Sequence, residues 1–172
     1  MIDTWSRNIS LRIKAADPEN TSSVEVMEFA IGGYLNFAIT AVLTASIGAI
    51  TGMVWESLIC LALFNVVRIF SGGFHLPHTA CVILSTAIFS VLPFVDASRT
   101  YVLVFTITAL ILLAQFAPNI DPKTSTLDAK FYPTWKIISV LLAAFNLLFM
   151  SKLFALVLLV LAVLVIPFKG RR

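Results

Sequence analysis

The sequence predicts an all-α, polytopic membrane protein of about six transmembrane helices, preceded by an N-terminal amphipathic interfacial helix. Three observations carry that prediction. Of 172 residues, 59% are hydrophobic and 12% charged, about half the charge of an average soluble domain. The mean hydropathy is +0.98. The apolar residues also fall in stretches close to one hydrocarbon thickness in length. This composition excludes an ordinary cytosolic globule, and equally a disordered chain. The length suits one unit, taken as residues 1–172, with a surface helix over 2–16 and a transmembrane bundle over 24–172. Two cysteines make no disulfide framework.

In chain order, Ile2, Trp5, Ile9 and Ile13 recur at helical spacing beside Arg7, Arg12 and Lys14. That pattern suits a helix lying in the membrane surface, and it lacks the apolar core of a signal peptide. A soluble arm is the bland alternative. Asp17-Pro18 ends the helix. Ser22 or Ser23 can cap the next one, with Glu25 in its first turn. Ala30 to Ile50 carries no charge and spans about 31 Å at ~1.5 Å per residue. Gly32, Gly33, Ala38, Ala41, Ala45 and Gly48 give it many small residues, which permit close helix contact and a homodimer. Further spans are expected from Met53 to Phe70, Ala80 to Val95, Tyr101 to Ala117, Trp135 to Met150 and Leu153 to Phe168. Ser151-Lys152 turns the last two into a helical hairpin.

Six spans place both ends of the sequence on one side. Arg7, Arg12, Lys14, Arg68, Lys123, Lys130, Lys136, Lys169, Arg171 and Arg172 then share that side, against Arg99 and Lys152 on the other. The positive-inside rule makes the first side cytoplasmic, so the expected location is the plasma membrane with both termini and the loop around Ser71 to Thr79 inside. The net charge of +3 then reflects topology and contact with anionic lipids. No nucleic-acid module is recognisable.

The polar inventory is small, and it is concentrated. Both histidines, His75 and His78, and one cysteine, Cys81, lie in Arg68-Ile-Phe-Ser-Gly-Gly-Phe-His-Leu-Pro-His-Thr-Ala-Cys81. Three readings stay open from the residues alone. A histidine can take the proton of Cys81 and stabilise the thiolate, with Gly72-Gly73 turning the backbone and the start of the third span lowering the thiol pKa. His75, His78 and Cys81 can together hold a metal, although no His-Glu-x-x-His signature is present. The three can also be ordinary loop and packing residues. Cys60, mid-span, reads as a small apolar residue.

This segment resembles the AgrB family of membrane peptidases of Gram-positive quorum sensing. Arg68, Gly72, Gly73, Phe74, His75 and Cys81 fill the family pattern. Phe116-Ala-Pro-Asn-Ile-Asp121-Pro-Lys-Thr resembles the family's aromatic-Ala-Pro-x-x-Asp loop, and Lys136-Ile-Ile-Ser the Lys-x-x-Ser after it. The resemblance implies a cysteine endopeptidase without metal or other cofactor. Its catalytic residues are His75 and Cys81, supported by Arg68, Gly72, Gly73 and His78. It implies cleavage of a short AgrD-like propeptide through a thioester, and cyclisation of the acyl part. The cysteine follows the histidine by six residues here, against seven in the family pattern, which keeps His78 in view as the base while the Gly-Gly register favours His75. Asp121, Lys123 and Lys136 are candidates for binding the propeptide's charged tail, or else a solvated loop. A small peptide exporter or a membrane metalloenzyme are the rival functions.

Overall fold

The computed structural model describes residues 2–73, 77–120 and 128–167. Among them the architecture is all-α. Helix α1 is Ile2–Ala16, α2 Val24–Thr51, α3 Val54–Ser71 and α4 His78–Val91, which continues into a 3₁₀ turn at Leu92–Phe94. Helix α5 is Arg99–Phe116, α6 Tyr132–Ala144, α7 Asn146–Phe149 and α8 Lys152–Val165. Four stretches are long and apolar enough to cross a membrane: Val24–Thr51, Val54–Ser71, Arg99–Phe116 and Tyr132–Phe149. His78–Phe94 and Lys152–Val165 are shorter apolar helices. These six follow the six expected stretches in order.

Local chemistry sets the boundaries. α1 stops one residue before Asp17-Pro18, and Lys14 Nζ closes the connection by donating to the carbonyls of Pro18 (2.8 Å) and Thr21 (2.9 Å). Ser23 caps α2, its hydroxyl accepting from the Val26 amide at 3.4 Å. Gly52, left-handed at φ 76°, ends α2. The inward face of α1 is Ile2, Ser6 and Ser10, and the two small serines let it lie close on α2. Trp5, Ile9, Leu11 and Ile13 point outward. That is the arrangement of a helix whose apolar face is meant for lipid.

The core sits where α8 passes between α3 and α5. Val157, Leu158, Leu161 and Val165 of α8 are fully buried there, against Val67 of α3 and Leu113 of α5. Phe64 of α3 meets Phe89 of α4 edge-on at 5.1 Å. α2 closes the other side, against α3 and α4. Two of its small residues are used within the chain. A Cβ on Gly32 would meet the His78 ring, and one on Gly48 would lie 2.9 Å from Val54 Cα.

The expected turn at Ser151-Lys152 is present: Met150 is left-handed and the Ser151 hydroxyl caps α8. Yet α6 and α8 each pack against α3 and α5 and not against one another, so the turn does not make a tightly paired hairpin. The α6–α7 break is pinned by Asn146, which is fully buried. Its Nδ2 donates to Thr106 Oγ1 of α5 (2.9 Å) and its Oδ1 accepts from the Ser151 amide (3.0 Å). Asn146→Leu leaves the Ser151 amide without its acceptor and takes from the Thr106 hydroxyl the donor it accepts from, though that hydroxyl keeps its bond to the Val102 carbonyl, so we expect a loss of about 1–3 kcal/mol, read as a lower midpoint of thermal unfolding in detergent.

Candidate active site

One end of the bundle gathers the candidate residues that lie among the described ones. α3 ends at Ser71, and Gly72 and Gly73 follow with φ of 64° and 131°. The turn does not stand alone. Gly73 donates its amide to the Asn119 carbonyl (2.8 Å), and the Asn119 amide donates to the Ser71 carbonyl (3.0 Å). This short parallel bridge joins the Gly-Gly turn to the Phe116–Asn119 segment after α5. Asn119 Nδ2 then donates to the Val165 carbonyl at the end of α8 (3.1 Å). The two motif regions of the sequence are therefore one structure, fastened to the last turn of α8. A Cβ on Gly72 would run into the Asn119 carbonyl, and one on Gly73 would come within 3.1 Å of the Leu164 carbonyl. Gly72 demands glycine by space as well as by φ, and Gly73 by its φ.

Cys81 lies one turn into α4, its amide donating to the Pro77 carbonyl at 3.0 Å. That is the first bond of the helix, so α4 itself offers no acceptor to the amides of His78, Thr79 and Ala80. The positive end of the helix dipole therefore lies beside the thiol. The Cys81 side chain is half-buried and 3.9 Å from Ser85 Oγ. It faces a cavity of about 380 Å³ walled mainly by apolar side chains of α3, α4 and α8, with Arg68 also on its wall. The Arg68 guanidinium lies over the Phe64 ring, 5.3 Å from its centroid, and 3.5 Å from where a Gly73 Cβ would be. Arg68 thus connects the cavity to the Gly-Gly turn.

His78 opens α4 but serves other neighbours. Its Nδ1 is 2.6 Å from Asp3 Oδ1 of α1, and its Nε2 edge rests on Gly32, where a Cβ would come within 2.7 Å. Asn36 Nδ2 donates to the His78 carbonyl at 3.1 Å. The bond to His78 holds the Asp3 carboxyl below its usual range. Among the described residues no hydrogen bond joins His78 to Cys81. Lys136 sits half-buried in α6, whose start is placed by the edge-on contact of Trp135 with Phe70 at the end of α3 (5.4 Å). It does not line the Cys81 cavity. Ser139, of the Lys-x-x-Ser match, is buried and donates to the Lys136 carbonyl at 2.8 Å. His75, Asp121 and Lys123 lie outside the described residues.

Asp3, Gly32, Asn36 and Asn119 are the site residues the sequence does not single out. Asn119 stood within a quoted motif. The other three carried no signal beyond being polar or small on their helices.

Fold and site together define an all-α, multi-pass membrane protein, with a cysteine near the head of a helix facing a cavity among α3, α4 and α8. The chain belongs to the AgrB family, accessory gene regulator B, which it matches over residues 4–168. An AgrB-like protein of Halalkalibacterium halodurans is 28% identical over 120 residues, or 69% of this chain. The chain spans 61% of the length of that curated relative. No solved structure matches it.

Proposed function

We propose that the protein is a cysteine endopeptidase of the cytoplasmic membrane face that cleaves a short AgrD-like propeptide and hands its acyl part to ring closure. The observation that carries this reading is the setting of Cys81: first turn of α4, half-buried, on the wall of an apolar cavity beside Arg68 and the Gly72-Gly73 turn. Because the His78 ring is engaged by Asp3 and Gly32, His75 is the imidazole assigned to the thiol. His75 takes the Cys81 proton, and the thiolate attacks the scissile carbonyl. The amides of His78, Thr79 and Ala80 at the head of α4, which have no acceptor within their own helix, are candidates to receive the developing oxyanion. Collapse breaks the C–N bond. The leaving amine takes the proton from His75, and an acyl thioester remains on Cys81. A cysteine or serine within the propeptide then displaces Cys81 from that carbonyl, closing the ring and returning a proton to the dyad. The apolar walls keep water from competing. Arg68 fixes the Gly-Gly turn, and Asp121, Lys123 and Lys136 meet the charged tail at the membrane surface.

The test is to trap the intermediate. Full-length protein in liposomes, mixed with propeptide whose internal nucleophile is replaced by alanine, should accumulate an adduct equal in mass to the N-terminal fragment. The adduct should map to Cys81 and be removed by neutral hydroxylamine. Cleavage with no adduct, stopped by a chelator, would instead support a metal site at His75, His78 and Cys81.

A further inference from the structure

The first turn of α4 is held from outside its own helix. Pro77, at the N-cap, provides no side-chain bond to that turn, where a Ser, Thr or Asp would normally do so. Three contacts from α1 and α2 take its place, all on His78. Asp3 Oδ1 holds the ring at Nδ1, 2.6 Å away. Gly32 leaves just enough room under the other ring edge. Asn36 grips the backbone carbonyl at 3.1 Å. Cys81 lies three residues further along the same turn, tied to Pro77 by its amide. Asp3 and His78 are 75 residues apart, so the contact is tertiary.

Resting on the reading of Cys81 as nucleophile, we infer that Asp3 is a positioning residue: through His78 it fixes the head of α4, so that the Cys81 sulfur is presented at one point on the cavity wall. A nucleophile must be held to within about 0.5 Å of its productive place, and a misplacement of ~1 Å costs about a hundredfold. A helix end with no cap of its own does not meet that standard unaided. α1 can supply the missing restraint because its small stripe of Ser6 and Ser10 seats it closely on α2, which brings Asp3 up to the ring.

The experiment measures Cys81 directly, with iodoacetamide as the probe. In a Cys60→Ala background Cys81 is the sole thiol, and its alkylation rate at neutral pH is measured in liposomes beside the kcat and KM of propeptide cleavage. His75→Ala should slow alkylation by at least about tenfold. Asp3→Ala and His78→Ala should each slow it by about tenfold and lower kcat with KM little changed. Asp3→Asn keeps an acceptor on the ring and should recover the rate to within about threefold. A merely structural Asp3 would lower the unfolding temperature and leave the alkylation rate and kcat of the folded variant in place. If Asp3→Ala does not fold, Asn36→Ala, which frees the His78 carbonyl without touching α1, should slow alkylation in the same way. Unchanged rates in the folded Asp3→Ala and His78→Ala variants, or in Asn36→Ala where Asp3→Ala fails to fold, overturn the positioning role alone. A background thiol no more reactive than free cysteine, and indifferent to His75→Ala, overturns the nucleophile reading and this inference together.

Discussion

Cys81→Ala is expected to reduce propeptide cleavage by at least ~10³-fold while leaving the helical bundle intact. The size follows from covalent catalysis: without the sulfur the remaining groups can bind and polarise the substrate but cannot form the thioester. The small structural effect follows from position. Cys81 is half-buried on a cavity wall and is not among the fully buried residues between α3, α5 and α8. Cys60→Ala is the matched control. Cys60 is fully buried in the core, so its loss should cost stability, on the order of 1 kcal/mol, and spare cleavage. Cleavage by purified protein in liposomes, with and without a chelator, reads both variants. Full cleavage by Cys81→Ala would end the peptidase assignment. Loss of peptide export alone would favour a transporter.

Gly72→Ala should be the most damaging exchange of a single hydrogen for a methyl group. Its φ of 64° and ψ of −145° lie in a region that is essentially glycine's alone. The added carbon would also strike the Asn119 carbonyl, which accepts the Gly73 amide. Backbone strain and loss of that bridge together should cost about 2–4 kcal/mol. The turn can escape only by letting go of Asn119, which releases Arg68 from its place beside Gly73. Cleavage should therefore fall by more than ~10-fold even where the protein still folds. Gly33→Ala makes the comparison clean: that glycine is helical and has nothing within 4 Å of the added carbon. Its activity and thermal midpoint should match those of the unaltered protein.

What could be read beforehand was local. The stop at Asp17-Pro18, the Ser23 cap and the turn at Ser151 are decided by residues a few positions apart, and each stands where the sequence placed it. Pairings across the chain were not legible. The Gly72-Gly73 and Phe116–Asn119 motifs were both visible, but neither carries any mark that one accepts the other's amide. Asp3 carries no such mark either, because nothing in α1 points to a ring on α4. The face of α1 was hard to assign for a physical reason. Periodicity identifies an apolar side, and in water that side faces the core. Beside lipid most of the apolar side faces out, so the inward contact falls to Ile2 and two serines. The break between α6 and α7 was hidden likewise, since a buried Asn146 differs from an apolar neighbour only through its partners on α5 and at Ser151.

The centre of the bundle is occupied by α8, which follows in the sequence both helices it holds together. During synthesis α3 and α5 thus enter the bilayer with their contact surfaces unfilled, and the groove between them stays open until α8 leaves the ribosome. The carbonyls of Leu164 and Val165, against which Gly73 and Asn119 settle, arrive later still. A nascent chain halted before α8 has Cys81 and its neighbours but no finished wall around them. On the reading of Cys81 as nucleophile, propeptide cleavage should therefore begin only once α8 has settled between α3 and α5.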